Sequence, residues 1–182
     1  FVLDGGYDKW SLEERAVSIL PSSSQSPTDY RLSVAEPVPD LRAEGDYVLK
    51  RIANRSVVVW DTRRLSEHVG SEVRADRGGH IPGAIHLNWE DLQQEMGGVK
   101  VLKSEEEIRV LLTAKGITPD REIIAHCQTG IRSSYATLVL LGLNYQRARN
   151  YDGSWIEWAN NQSLPISVLT AENEAQQQSL LR

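Results

Sequence analysis

Residues 122–133 read Glu122-Ile123-Ile124-Ala125-His126-Cys127-Gln128-Thr129-Gly130-Ile131-Arg132-Ser133. The run from Glu122 to His126 has the length and apolar character of a buried strand. A helical pattern then fits Ser133 to Leu141 and ends at Gly142. The chain's only cysteine, Cys127, therefore lies between a strand end and a helix start. In a parallel sheet flanked by helices, that is the edge at which ligands bind.

Working outward, the same alternation recurs. Ser56-Val57-Val58-Val59-Trp60 is rich in β-branched residues and predicts a buried strand ending at Asp61. Ala84 to Leu87 and Ala148 to Tyr151 read as further strands. Asp46 to Ile52 fits a helix burying Val48, Leu49 and Ile52. Ser104-Glu105-Glu106-Glu107 has the pattern of a capping box, opening a helix that buries Ile108, Leu111 and Leu112 and stops at Gly116. Strands alternating with helices predict an α/β domain with a central, mainly parallel sheet and helices on both faces.

Residues 21–39 are rich in Ser and Pro and read as a linker, so the folded domain is expected over 40–168, with a loose Gln- and Glu-rich tail at 169–182. Residues 1–20 hold an echo of the far end. Leu3-Asp4-Gly5-Gly6-Tyr7-Asp8-Lys9-Trp10 matches Tyr151-Asp152-Gly153-Ser154-Trp155-Ile156-Glu157-Trp158 at a separation of about 148 residues. Two copies of one domain, the first represented only by its last corner, account for this echo; so does the habit of Asp-Gly to turn before a Trp-bearing helix. The chain opens on Phe1, and its only methionine is Met96, which points to truncation or processing.

Among 182 residues, 40 % are apolar, and the longest apolar run, Ala136 to Leu143, falls far short of the roughly 20 residues of a membrane span. The net charge of −5 carries no basic stripe, which argues against a nucleic-acid partner and leaves small molecules. A lone cysteine forms no internal disulfide and fits a reducing, cytoplasmic setting. Composition alone allows Cys127 to be a buried structural thiol.

Its surroundings point elsewhere. Backbone N–H groups of a strand-to-helix loop curl toward one point, and the positive end of the helix dipole adds to their field. A thiolate is stabilised there, so the Cys127 pKa is expected to fall below its ordinary value. Gly130 permits the tight turn, and Arg132 offers a forked, permanent positive charge suited to sulfonate or phosphate oxygens.

His126-Cys127-Gln128-Thr129-Gly130-Ile131-Arg132-Ser133 resembles the active-site loop of the rhodanese family. Asp61-Thr62-Arg63 is similar to that family's Asp-x-Arg, and Gly79-His80-Ile81-Pro82-Gly83-Ala84 to its Gly-His-Ile-Pro-Gly-Ala turn. Tyr151-Asp152-Gly153-Ser154-Trp155 is similar to the closing corner of the second, catalytic domain of tandem rhodaneses, and the first 18 residues resemble the end of a first domain. The resemblance implies a sulfurtransferase that carries sulfane sulfur as a persulfide on Cys127, moving it from thiosulfate or a related donor to cyanide or a thiol. It implies Gln128, Thr129, Gly130, Ile131, Arg132 and Ser133 as the substrate-binding loop. It implies no metal and no organic cofactor, and a missing first domain packed near the active site.

Other readings stay open. Gln128 and Thr129 match neither the cationic loops of some thiosulfate-specific relatives nor the Cys-Gly-Ser-Gly loop of mercaptopyruvate-specific ones, so 3-mercaptopyruvate remains a second donor. A persulfide carrier or regulatory binding module is a third reading. Cys-dependent phosphatases of similar fold have one residue more between Cys and Arg than the four found here, which disfavours phosphoryl transfer. Asp61 and Arg63 are expected to form a buried ion pair steadying the loop, with substrate contact as the alternative. Trp89 either walls the pocket or packs in the core. His80 and His126 are expected to pack or hydrogen-bond, His126 pointing to the face opposite Cys127. Arg74 and Arg77 are expected to be solvent-exposed.

Overall fold

In a computed structural model of the chain, which describes residues 2–20, 29 and 41–168, the run Val57–Asp61 forms strand β2 and is buried along its whole length. Full burial follows from its place in the sheet. Five strands, β1 (Arg42–Ala43), β2, β3 (Ile85–His86), β6 (Glu122–His126) and β7 (Ala148–Tyr151), lie in the order β1-β7-β6-β2-β3, and every pairing is parallel. Such a sheet buries both faces, so its strands read as continuous apolar runs.

Alternation along β2 and β6 divides the core. Val58, Trp60, Ile123 and Ala125 face one side, where α4 (Glu105–Ala114) and α5 (Ile131–Gly142) contribute Ile108, Leu112, Ala136 and Leu140. Val57, Val59 and Ile124 face the other, against Val48 of α2 (Gly45–Leu49) and Trp155, Trp158 and Ala159 of α6 (Ser154–Asn160). Helices thus cover both faces, as expected.

Several boundaries differ from expectation. The segment Ala84–Leu87 pairs only at Ile85 and His86. Helix α2 ends at Leu49, which is exposed, while Val48 is fully buried. An antiparallel hairpin, β4 (Gln93–Met96) with β5 (Val99–Leu102), was not anticipated. Its signal was present: Gly97 and Gly98 both take positive φ, 62° and 84°, the conformation of a two-residue hairpin turn. The capping box of α4 is formed, Ser104 Oγ accepting the Glu107 N–H and Glu107 accepting that of Ser104. The expected linker and tail, 21–39 and 169–182, lie outside the described residues apart from position 29.

Residues 2–12 lie on the hairpin side. Helix α1 (Gly6–Leu12) contacts β5, and the Leu102 N–H donates to Asp4 Oδ1 at 3.0 Å. Arg77 is not the exposed cation expected from sequence. Its guanidinium donates to the carbonyls of Trp158, Ala159, Asn161 and Leu164 at 2.6–3.1 Å, satisfying the acceptors that the end of α6 leaves open. Arg74 is exposed as expected, with its Nη1 3.4 Å from Glu67 Oε1.

Candidate active site

The register of β2 and β6 sets the site. Asp61 and His126 are Cα partners at the carboxyl ends of adjacent strands, so their side chains share a face. Beyond them, Thr62 locks the two ends together, its N–H and hydroxyl both donating to the His126 carbonyl at 3.0 and 2.9 Å. Cys127 follows directly, at the edge of the central strand.

Helix α5 begins at Ile131, earlier than the expected Ser133, so Arg132 and Ser133 sit in its first turn, where N–H groups lack partners within the helix. The backbone N–H groups of Ser133, Thr129 and Arg132 and the side chain of Ser133 favour the ionised form of the Cys127 thiol. Cys127 is only 1 % exposed, and burial alone pushes a thiol pKa up. The donors outweigh it, and the Cys127 pKa lies below its ordinary value. Gly130, at φ +84°, makes the turn; a Cβ there would stand 2.8 Å from the Asp152 carbonyl oxygen.

The opposite side of the loop is held by α6. The Cys127 N–H donates to Ser154 Oγ at 3.1 Å, while the N–H groups of Trp155 and Ile156 donate to the Cys127 and Gln128 carbonyls, each at 3.0 Å. With these carbonyls turned toward α6, the loop amides are free to face the sulfur. Ser154 is buried at φ +52° although it is not glycine, so its backbone is strained and its hydroxyl is part of what holds the turn. Sequence reading passed over Ser154. Its one signal was position: Gly6 stands at the matching place of the N-terminal echo, with φ +55°.

Around Asp61 the four histidines of the chain gather. Arg63 grips Asp61 through Nε and Nη2 at 2.9 and 2.6 Å, both side chains being essentially inaccessible, and donates further to the Gly79 carbonyl at 2.8 Å. Its guanidinium also lies over the Trp155 ring, 4.5 Å from the centroid. His68 Nδ1 donates to Asp61 Oδ2 at 2.9 Å and stacks on His80 at 3.9 Å, with His86 at 5.0 Å. His126 Nε2 lies 3.9 Å from the same oxygen. Burial by itself raises the Asp61 pKa, but His126, His68 and Arg63 hold it well below the carboxylate range. The expected ion pair is thus present, and His80 and His126 pack and hydrogen-bond as anticipated.

Burial pushes His80 and His126 down to about 4, with His68 adding to the effect on His80 and Asp61 partly opposing it on His126. Both are neutral in the fold, whereas in the unfolded chain they take protons near the ordinary histidine value of about 6.5. Stability is therefore lost as pH falls from about 6.5 toward about 4. Urea midpoints should drop steadily between pH 7 and pH 4.5; an unchanged midpoint contradicts the neutral cluster.

Of the remaining loop residues, Thr129 and Ile131 are exposed. Gln128 is buried, its Nε2 donating to the Arg74 carbonyl at 2.8 Å. Arg132 is held by Glu67, a buried residue that sequence reading missed, through Nη1 and Nη2 at 2.7 and 2.8 Å. Trp89 is half-buried, edge-on to Tyr135 of α5 with centroids 5.5 Å apart. Among the described residues no group of three or more His, Cys, Asp or Glu is arranged to hold a metal ion, and no helix is long and apolar enough to cross a membrane.

Residues 44–161 match the model of the rhodanese-like domain. The chain belongs to that family. This rhodanese-like chain is 37 % identical over 167 residues to a thiosulfate sulfurtransferase of Azotobacter vinelandii and 36 % identical over 167 residues to one of Pseudomonas aeruginosa, in each case over 91 % of its own length. It spans 59 % of the length of those relatives. Among solved structures it superposes on wild-type EanB with a TM-score of 0.80 at 24 % identity, covering 93 % of this chain and 41 % of that one. An anaerobic ergothioneine biosynthesis enzyme from Chlorobium limicola matches with a TM-score of 0.79 over the same shares. At this identity the structural likeness speaks to the fold.

Proposed function

We propose that this rhodanese-like chain is the sulfur-carrying part of a thiosulfate sulfurtransferase, with Cys127 as the nucleophile. The observation that carries the reading is the place of the sulfur, buried at the end of β6 and directly before the first turn of α5, whose partnerless N–H groups favour the thiolate and hold its pKa down. Such a cradle stabilises the thiolate and equally an anionic persulfide in its place.

The Cys127 thiolate attacks the outer sulfur of thiosulfate. A new S–S bond forms as the donor's own S–S bond breaks, and sulfite leaves with the bonding pair. A thiophile such as cyanide then attacks the outer sulfur of the persulfide, the enzyme's S–S bond breaks, and thiocyanate departs as the thiolate is restored. Two displacements replace one difficult transfer, and the kinetics are ping-pong. Arg132, with Gln128, Thr129, Gly130, Ile131 and Ser133, forms the donor-facing loop; Asp61 and Arg63 steady it from beneath, and Trp89 borders it. Chemistry carried on a covalent sulfur calls for no metal or organic cofactor.

The reading extends to a tandem protein acting in the cytoplasm, with a first rhodanese-like domain beside this one. Its support is the repeated corner. Helices Gly6–Leu12 and Ser154–Asn160 have the same seven-residue length and the same offset as the sequence echo, and each starts on a residue with φ near +55°.

The test is intact-mass analysis after incubation with thiosulfate, with 3-mercaptopyruvate and with a phosphate ester. One added sulfur from thiosulfate, absent from protein alkylated beforehand, is the expected result. Sulfur uptake from 3-mercaptopyruvate alone assigns the other donor, and phosphate release without sulfur uptake sinks the sulfurtransferase reading.

A further inference from the structure

The carboxylate of Glu67 is completely buried, yet it belongs to neither the sheet core nor the Asp61 cluster. It is the third residue of helix α3 (Leu65–Val69), and the Arg64 N–H donates to its Oε2 at 3.2 Å, which anchors the side chain at the helix start. From there both oxygens face Arg132, 65 residues away in the first turn of α5. Arg132 Nη1 meets Oε2 at 2.7 Å, and Nη2 meets Oε1 at 2.8 Å. Arg74 lies at the rim, its Nη1 3.4 Å from Oε1.

A two-point fork of this kind fixes the plane of the guanidinium as well as its position. The fork engages one edge of Arg132 and leaves other N–H groups free, and Arg132, in the first turn of the helix that follows the cysteine loop, interacts with the Cys127 thiolate, which after Glu67 helps to raise its pKa. Carboxylate, guanidinium and thiolate thus stand in a chain of three, with the first member sealed from solvent and the last at the reacting atom. Without its buried partner, Arg132 is a long, partly exposed side chain with many rotamers, and setting it against the sulfur then costs entropy in every catalytic cycle.

We propose that Glu67 is a positioning residue for sulfur transfer, acting through Arg132 by clamping its guanidinium against the Cys127 sulfur. This rests on the sulfurtransferase reading above. If Glu67 works only through Arg132, the effect of changing it disappears once Arg132 is gone.

The experiment is a double-mutant cycle on the full chain, comparing wild type, Glu67→Gln, Arg132→Ala and the double variant. Two readouts are followed: the second-order rate of persulfide formation from thiosulfate, and the pH midpoint of Cys127 alkylation, which needs no donor. Glu67→Gln should slow persulfide formation roughly tenfold or more and move the alkylation midpoint upward, toward that of Arg132→Ala. In the Arg132→Ala background it should change neither. Glu67→Asp keeps the charge on a shorter stem and should fall between wild type and Glu67→Gln; it takes the place of Glu67→Gln in the cycle should that variant fail to fold.

Equal losses in both backgrounds, or no loss beside wild type, overturn the proposal. Faster persulfide formation in Glu67→Gln also overturns it, showing that the carboxylate only offsets the charge of Arg132. A wild-type protein that alkylates readily but takes sulfur from no donor defeats the functional reading instead, while the alkylation cycle still judges the clamp.

Discussion

Cys127→Ser is expected to take up no detectable sulfur from any donor while melting close to wild type. Serine is nearly the same size, and its hydroxyl oxygen can accept up to two of the Thr129, Arg132 and Ser133 N–H groups that favour the thiolate in the native loop. The fold therefore loses little. The chemistry loses everything, because a hydroxyl is far from ionised at neutral pH and cannot form the S–S bond on which the transfer depends. With one cysteine in the chain, no second thiol can mask the loss. Intact mass and a thermal melt check both halves of the prediction. Sulfur still bound to Cys127→Ser would remove the persulfide from the mechanism.

The largest effect on stability is expected from Asp61→Asn. The native carboxylate accepts from the Arg63 backbone and guanidinium and from His68 Nδ1, all out of contact with water. The amide keeps the shape but removes the countercharge, leaving Arg63 as a buried, uncompensated cation. Loss of one partner of a buried pair costs about 3–5 kcal/mol, which for a domain of this size lowers the melting temperature by on the order of 10 °C. Replacing both partners by apolar residues, as in Asp61→Leu with Arg63→Met, should recover part of the loss, because no buried charge then lacks a partner. If the double variant is the less stable, the ion pair is more than a neutralised burden, and its further bonds to Gly79 and His68 matter more than its charge.

The depressed histidines belong to the same cluster. Asp61 keeps a buried negative charge next to His68 and His126, yet the imidazoles of His80 and His126 stay neutral because burial outweighs that attraction. Asp61→Asn should therefore leave the acid-induced loss of stability in place and lower the whole curve.

Much of this molecule was legible along the chain. The β-branched run before Asp61, the apolar strand before Cys127 and the capping box at Ser104 are signals held within a few neighbouring residues, and each became the element it announced. The hairpin at Gly97-Gly98 was equally local and went unread because its strands, Gln93–Met96 above all, are too polar and exposed to alternate clearly. The start of α5 was misjudged because Gly130, in the left-handed conformation, already turns the chain into the helix at Ile131.

What the sequence by itself determined was the sheet with helices on both faces and the placing of a lone thiol between strand and helix, because strand and helix periods are properties of short windows. Tertiary structure alone decided which distant groups close around that thiol. Glu67 reaches Arg132, Ser154 receives the Cys127 N–H, and Asp61 faces His126, across separations from 27 to 65 residues. Those meetings depend on strand register and on how loops close in space. No local pattern encodes either, so a buried carboxylate and a strained serine looked like ordinary surface residues until the chain was folded.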